Sequence, residues 1–245
     1  MIAQGGILGV DAIFSIHCDP TLDVGRVGLR DGAITAAADI VTITLSGRGG
    51  HTSRPHLTQD LIYALGKVVT EVPAVLSRRV DPRAGVALVW GAAHSRNAEN
   101  VIPSTGTVSG TLRMLDAQLW EEVRPLLNEL VHGVVSPYGV SAKVEHTRGV
   151  PPVVNDSRAV ARLRVAAELM LGPDAAQPTS QSLGGEDFAW YVQSVPGAMA
   201  RLGTRTLGGT TYDLHQGDLV VDERAVTMGA GLLAGAALAC YSADS

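Results

Sequence analysis

Residues 40–47 read IVTITLSG, a β-branched stretch in which apolar and polar positions alternate. That pattern predicts a strand with one buried face, and the order of the elements after it sets the fold. LTQDLIYALGKVVTEV (57–72) is amphipathic at helical spacing, with Thr58 as its expected N-cap and Pro73 expected to disturb or end it. GVALVWGAA (85–93) and TGTVSGTLRML (105–115) read as strands. Asp116 is placed to cap a helix running to about Val135, and SAKVEHTRG (141–149) reads as a closing strand. The order from 40 to 149 is therefore β-α-β-β-α-β, the split βαβ order of ferredoxin-like domains.

The flanking segments differ in kind. AIFSI (12–16) predicts a buried strand that stops at His17, and residues 25–39 predict a hairpin around Asp31-Gly32. After residue 150 come a helix capped by Asp156 and reaching Leu171, the loop SQSLGGEDFAWY, a strand AMARLG, a loop ending YDLHQGD and a final helix. Neither flank has enough elements to bury a core alone. Together they predict part of one α/β layer, divided as 1–38 and 150–245, around an inserted unit at 39–149.

Of the 245 residues, 46% are hydrophobic and 18% are charged, and the formal net charge is -5. That balance supports a packed core and argues against a nucleic-acid footprint or a polybasic membrane anchor. The N-terminal stretch lacks a basic region and is not read as a signal peptide. AVTMGAGLLAGAALACY (225–241) is uncharged but rich in glycine and alanine, and it is expected to be a buried helix with close packing, not a membrane span. Two cysteines, Cys18 and Cys240, do not make a disulfide framework, and a cytoplasmic location is expected.

Three of the seven histidines stand in contexts that suit chemistry: His17 after a strand, His51 in GRGGHTSRPH, and His215 in DLHQGD. Neutral imidazole is the commonest transition-metal ligand, and loops at strand ends are where sites are built. The three glycines around Arg48 let the backbone approach a ligand or a neighbouring subunit. His132 and His146 are expected to be structural, solvent-facing or partly buried. Glu186 and Asp187 follow two glycines, where they serve either as acid/base groups or as first-turn helix charges.

Five segments in order, IFSIHCDP, SGRGGHTSRPH, NVIPSTGTVSGTLRMLD, SLGGEDFAWY and LHQGDLVVDERAV, resemble the metal-dependent amidohydrolases related to hippurate hydrolase, N-acyl-amino-acid aminoacylases and auxin-conjugate hydrolases. The resemblance spans nearly the whole chain. It implies an α/β metallopeptidase-like catalytic domain with an inserted ferredoxin-like lid that dimerises. It also implies two divalent metals, zinc or manganese, that activate water against the amide carbonyl of an N-acyl amino acid, with a glutamate as general base.

Carried over by position, His17 and His215 match metal ligands. His51 matches a lid histidine that reaches the partner subunit's site and stabilises the oxyanion. Asn100 and Arg113 match substrate-contacting lid positions, and Glu186 matches the active-site loop. The chain departs from the family by lacking an upstream His-x-Cys-Gly-His-Asp segment and a Glu-Glu pair, so a catalytically incomplete metal site is expected.

A homodimer is expected, with 40–47 as an unprotected strand edge needing cover. The alternative is an inactive dimerising or small-molecule-binding module derived from such an enzyme. A ferredoxin-like RNA reader is excluded, because the insert lacks paired aromatics and the chain is acidic.

Overall fold

The computed structural model describes residues 1–95 and 98–242. In chain order the strands are β1 (Ile13–Asp23), β2 (Val27–Leu29), β3 (Gly32–Ala33), β4 (Ala37–Ser46), β5 (Gly50–His51) and β6 (Ala87–Ser95). They continue with β7 (Val101–Ile102), β8 (Thr105–Met114), β9 (Ser141–Val150), β10 (Val154–Asn155), β11 (Ala176–Pro178) and β12 (Gly197–Arg205). The helices are α1 (Leu61–Arg79), α2 (Ala117–Val135), α3 (Ser157–Leu171), α4 (Ala189–Val192) and α5 (Arg224–Ser242). Two compact units result, one of residues 1–35, 153–182 and 186–245, the other of residues 36–152 and 183–185.

The second unit is an antiparallel sheet in the order β6-β8-β4-β9, with α1 and α2 on one face. Alternation in β4 turns Val41, Ile43 and Leu45 inward, where they meet Leu61, Val68 and Val72 of α1 and Trp120, Val123 and Leu127 of α2. β4 lies between β8 and β9, so it is not the exposed edge expected from its sequence; the edges are β6 and β9.

Helix α1 starts later than expected. Asp60, not Thr58, accepts the N–H of Tyr63 at 3.1 Å. The helix also passes through Pro73. A proline removes the N–H that would bond the carbonyl four residues back, and that carbonyl, Val69 O, accepts the indole N–H of Trp90 at 3.2 Å instead. Asp116 caps α2 through the N–H of Leu119 at 2.8 Å, as its position predicts.

A buried polar cluster ties β4, β9 and α2 together. The Asp39 carboxylate is inaccessible and accepts from Trp120 Nε1 at 3.0 Å, Gly149 N at 3.0 Å and His146 Nε2 at 2.6 Å. His146 is structural as expected, but it is fully buried.

The first unit holds a sheet in the order β1-β12-β2-β11, with β1 and β12 parallel. The strand of His17 does not stop there: β1 continues to Asp23, paired with β12 through Asp19 and again at Asp23 after a register shift. Residues 27–33 do not form a hairpin. β2 pairs with β12 and β11, while β3 pairs with β10. Long-range pairing overrides the local turn signal of Asp31-Gly32.

One sheet face packs Ala198, Ala200 and Leu202 against α3 and α5. The opposite face gathers Met199, Ile34, Val153 and Phe188. α5 is not the buried helix its composition suggests. Ala225, Leu232 and Ala236 are covered, but only 22% of Arg224–Tyr241 is buried, and the segment is long and apolar enough to cross a membrane by length and composition.

Candidate active site

His17 lies in mid-strand on β1, half-buried, and its parallel neighbour on β12 is Arg201. Its Nδ1 stands 2.8 Å from the carbonyl of Cys18. A carbonyl only accepts, so Nδ1 carries the proton, and in the neutral ring the Nε2 lone pair is free. That is the tautomer a metal-ligating imidazole adopts, fixed by the partner of its other nitrogen.

His51 is set the opposite way. Its Nδ1 faces the backbone N–H of Ser53 at 3.1 Å and the Ser53 hydroxyl at 2.8 Å. A backbone N–H only donates, so Nδ1 is the acceptor and Nε2 carries the proton in the neutral ring. His51 thus presents an exposed N–H donor, suited to a developing negative oxygen. The loop that carries it needs its glycines for close approach, since a Cβ on Gly49 would stand 2.4 Å from the carbonyl oxygen of Ile102.

His215 is exposed on the segment between β12 and α5, and it is the one non-glycine among the described residues with positive φ, at 62°. Such a conformation is uncommon and clusters at functional positions. The neighbours of His17 and His215 meet: Cys18 and Asp19 from β1, Tyr212, Asp213 and Leu214 from the later loop, and Arg201 line one cavity of about 360 Å³. Among the described residues no three His, Cys, Asp or Glu side chains come together as a metal cluster.

The structure brings Asn100 to His51, since the Asn100 carbonyl accepts the N–H of Thr52 at 3.1 Å and β5 pairs with β7. Arg113 is elsewhere. It sits near the far end of β8, opposite Ala38, while Thr105 at the other end of that strand faces Ser46. Eight residues of strand at ~3.4 Å each put Arg113 roughly 27 Å from the end that carries His51. Its Nη1 donates to Leu183 O at 2.5 Å. Glu186 is half-buried and its carboxylate accepts the N–H of Phe188 at 3.4 Å; it lies three residues before α4, so neither it nor Asp187 is a first-turn charge of that helix.

Sequence reading passed over Arg201. Its signal was a single charge inside the otherwise apolar run GAMARLG, in a strand whose residues 197–204 are all buried.

A strand histidine beside a polar cavity, and a split βαβ unit carrying a second histidine, are features that the resemblance to metal-dependent amidohydrolases implies. Comparison places the chain more closely: it belongs to peptidase family M20/M25/M40, whose sequence model matches residues 1–239.

A protein of Rhodococcus jostii (strain RHA1) that carries a glutamate–cysteine ligase name is 46% identical over 93% of this chain and 29% of its own length. The N-acetyl-L-cysteine deacetylase of Bacillus subtilis (strain 168) is 30% identical over 92% of this chain and 53% of its own. Among solved structures, the Bacillus subtilis YXEP protein, a dinuclear metal-binding peptidase of the M20 family, superposes with a TM-score of 0.80 at 26% identity, over 97% of this chain and 59% of that one. The chain thus spans between about a third and three fifths of the length of these relatives.

Proposed function

We propose that these residues form part of a metal-dependent amidohydrolase that cleaves the amide bond of N-acyl amino acids, working as a homodimer in a reducing cytoplasm. The observation that carries the reading is the opposed tautomers of His17 and His51, each fixed by one hydrogen bond of known direction. A relative that deacetylates N-acetyl-L-cysteine and a neighbour described as dinuclear support the substrate class and the divalent metal. The free thiols Cys18 and Cys240 suit the compartment.

His17 and His215 would hold a zinc or manganese ion, which when bound supplies Lewis-acid polarisation and an acidified water. Two imidazoles fall short of the three protein ligands of a catalytic zinc. The remaining donors and the general base are proposed to come from a further segment of the His-x-Cys-Gly-His-Asp and Glu-Glu kind. His51 Nε2–H donates to the amide carbonyl oxygen with Asn100 next to it, Arg113 holds the substrate carboxylate, and Glu186 is a substrate contact on its own loop. A small substrate cannot touch His51 and Arg113 of one chain across roughly 27 Å, so the reading takes His51 and Asn100 from the partner subunit.

The experiment uses protein in which the metal donors are complete. His51→Ala and Arg113→Ala variants are inactive separately. Mixed one to one and re-paired, half the dimers carry one intact site, restoring about 25% of wild-type turnover. No recovery from folded, dimeric mixtures refutes the shared site, and no turnover by the wild type refutes the amidohydrolase. A second reading, a binding module without turnover, is favoured by the absence of a three-donor group among the described residues. Metal titration separates the two.

A further inference from the structure

Arg201 is 7% exposed, on the central strand β12. On one side its register partner is His17 and on the other it is Gly28. Gly28 makes room for it: a Cβ there would stand 2.7 Å from Thr179 Cβ and 3.2 Å from Arg201 Cβ. The alternation of β12 sends Ala200 and Leu202 toward α3 and α5, so Arg201 points to the other face, into the cavity of about 360 Å³.

Among the described residues its guanidinium has no hydrogen-bond acceptor and no ion-pair partner. The two carboxylates lining the cavity accept from neighbours on their own segments, Asp19 on β1 and Asp213 on the loop after β12. Asp19 accepts from the N–H and hydroxyl of Thr21 at 2.9 and 2.6 Å, and Asp213 accepts the N–H of Leu214 at 2.8 Å. A guanidinium stays charged at every physiological pH. With the residue nine-tenths buried, solvent reaches this charge only through the cavity, and a ligand there that supplies the missing counter-charge is favoured. The wall adds hydroxyls and an amide from Thr179, Ser180, Gln181 and Tyr212, next to apolar Pro20, Leu22, Pro178 and Leu214. A cavity of this size suits a small molecule, and the planar fork of arginine matches a carboxylate in bidentate fashion.

We propose that Arg201 is the anion-recognition residue of this cavity and binds a carboxylate of a small-molecule ligand. Resting on the amidohydrolase reading, in which the substrate already carries an α-carboxylate, this makes the preferred substrate an N-acyl amino acid with a second carboxylate.

The test is calorimetric titration of the metal-free 245-residue chain with N-acetylglutamate and with N-acetylglutamine, which has the same shape but a neutral side chain. The wild type is expected to favour N-acetylglutamate by about 10- to 100-fold, Arg201→Gln to lose that preference, and Arg201→Lys to keep a small part. With the counter-charge absent, Arg201→Met is expected to raise Tm. Should Arg201→Gln fail to fold, the wild type alone decides. The Arg201 Nε–H resonance then shifts on adding N-acetylglutamate and stays put with N-acetylglutamine. Equal binding of the two ligands by the wild type, an unchanged preference in a folded Arg201→Gln, or an unmoved resonance overturns the assignment. No step requires turnover, so a protein with its metal donors completed that binds but never hydrolyses refutes the amidohydrolase and leaves Arg201 standing.

Discussion

Replacing Asp39 with alanine should cripple the split βαβ unit. Its carboxylate accepts from three donors: the ring N–H of His146, the indole N–H of Trp120 and the backbone N–H of Gly149. Each buried donor left without a partner costs ~1–3 kcal/mol, and breaking a buried pair by removing one member costs ~3–5 kcal/mol. The two estimates overlap near ~4 kcal/mol. With a urea m-value of ~2 kcal/mol/M, the midpoint should fall by ~2 M.

The acid limb of stability carries the same information. Burial pushes the Asp39 carboxyl up, but the bonds from His146, Trp120 and Gly149 outweigh it and hold the group below its ordinary 3.8. A depressed carboxyl contributes stability that is present above the ordinary value and is lost as pH falls through the lower folded one. Wild type should therefore weaken below about pH 4, and Asp39→Ala should show a flatter dependence there. Urea melts of the full chain, followed by tryptophan fluorescence and circular dichroism at several pH values, measure both. A loss under ~1 kcal/mol, or an unchanged acid limb, would show that this cluster does not hold β4, β9 and α2 together.

Trp90→Phe should cost about 1 kcal/mol by orphaning Val69 O, which Pro73 leaves without its helical donor; a melt with no change would mean that carbonyl finds another partner. Leu169 and Leu238 are 77% and 67% exposed on α3 and α5. Changing both to lysine should leave stability within ~0.5 kcal/mol while reducing self-association and hydrophobic-dye binding. Sedimentation velocity and dye titration check this, and unchanged self-association would place the sticky surface elsewhere.

How much the sequence disclosed depends on the range of the forces involved. The strand at 37–46 and the caps at Asp116 and Asp156 were legible because alternation and capping are decided by neighbours. Pro73 misled because the compensating donor, Trp90, lies 21 residues from Val69. The supposed hairpin at Asp31-Gly32 and the supposed edge at 40–47 failed because strand pairing is chosen across the fold. Candidate histidines could be named from their loops, but their tautomers needed coordinates, since Cys18 O and Ser53 N select them. Arg201 needed the burial of β12 and the register with His17 before its lone charge acquired meaning.

The central claim is that His17 and His215 are metal ligands of an amidohydrolase whose donor set these residues do not complete. The most direct measurement is release of free amino acid from acetyl- and benzoyl-amino acids with added manganese, zinc or cobalt. It compares the 245-residue chain with the same chain joined to a family segment carrying the His-x-Cys-Gly-His-Asp and Glu-Glu motifs. The account predicts no turnover above the metal blank for the chain alone, and metal-dependent turnover for the joined protein that His17→Ala abolishes. Turnover by the 245-residue chain that disappears in His17→Ala or His215→Ala, or none by the joined protein, would contradict it.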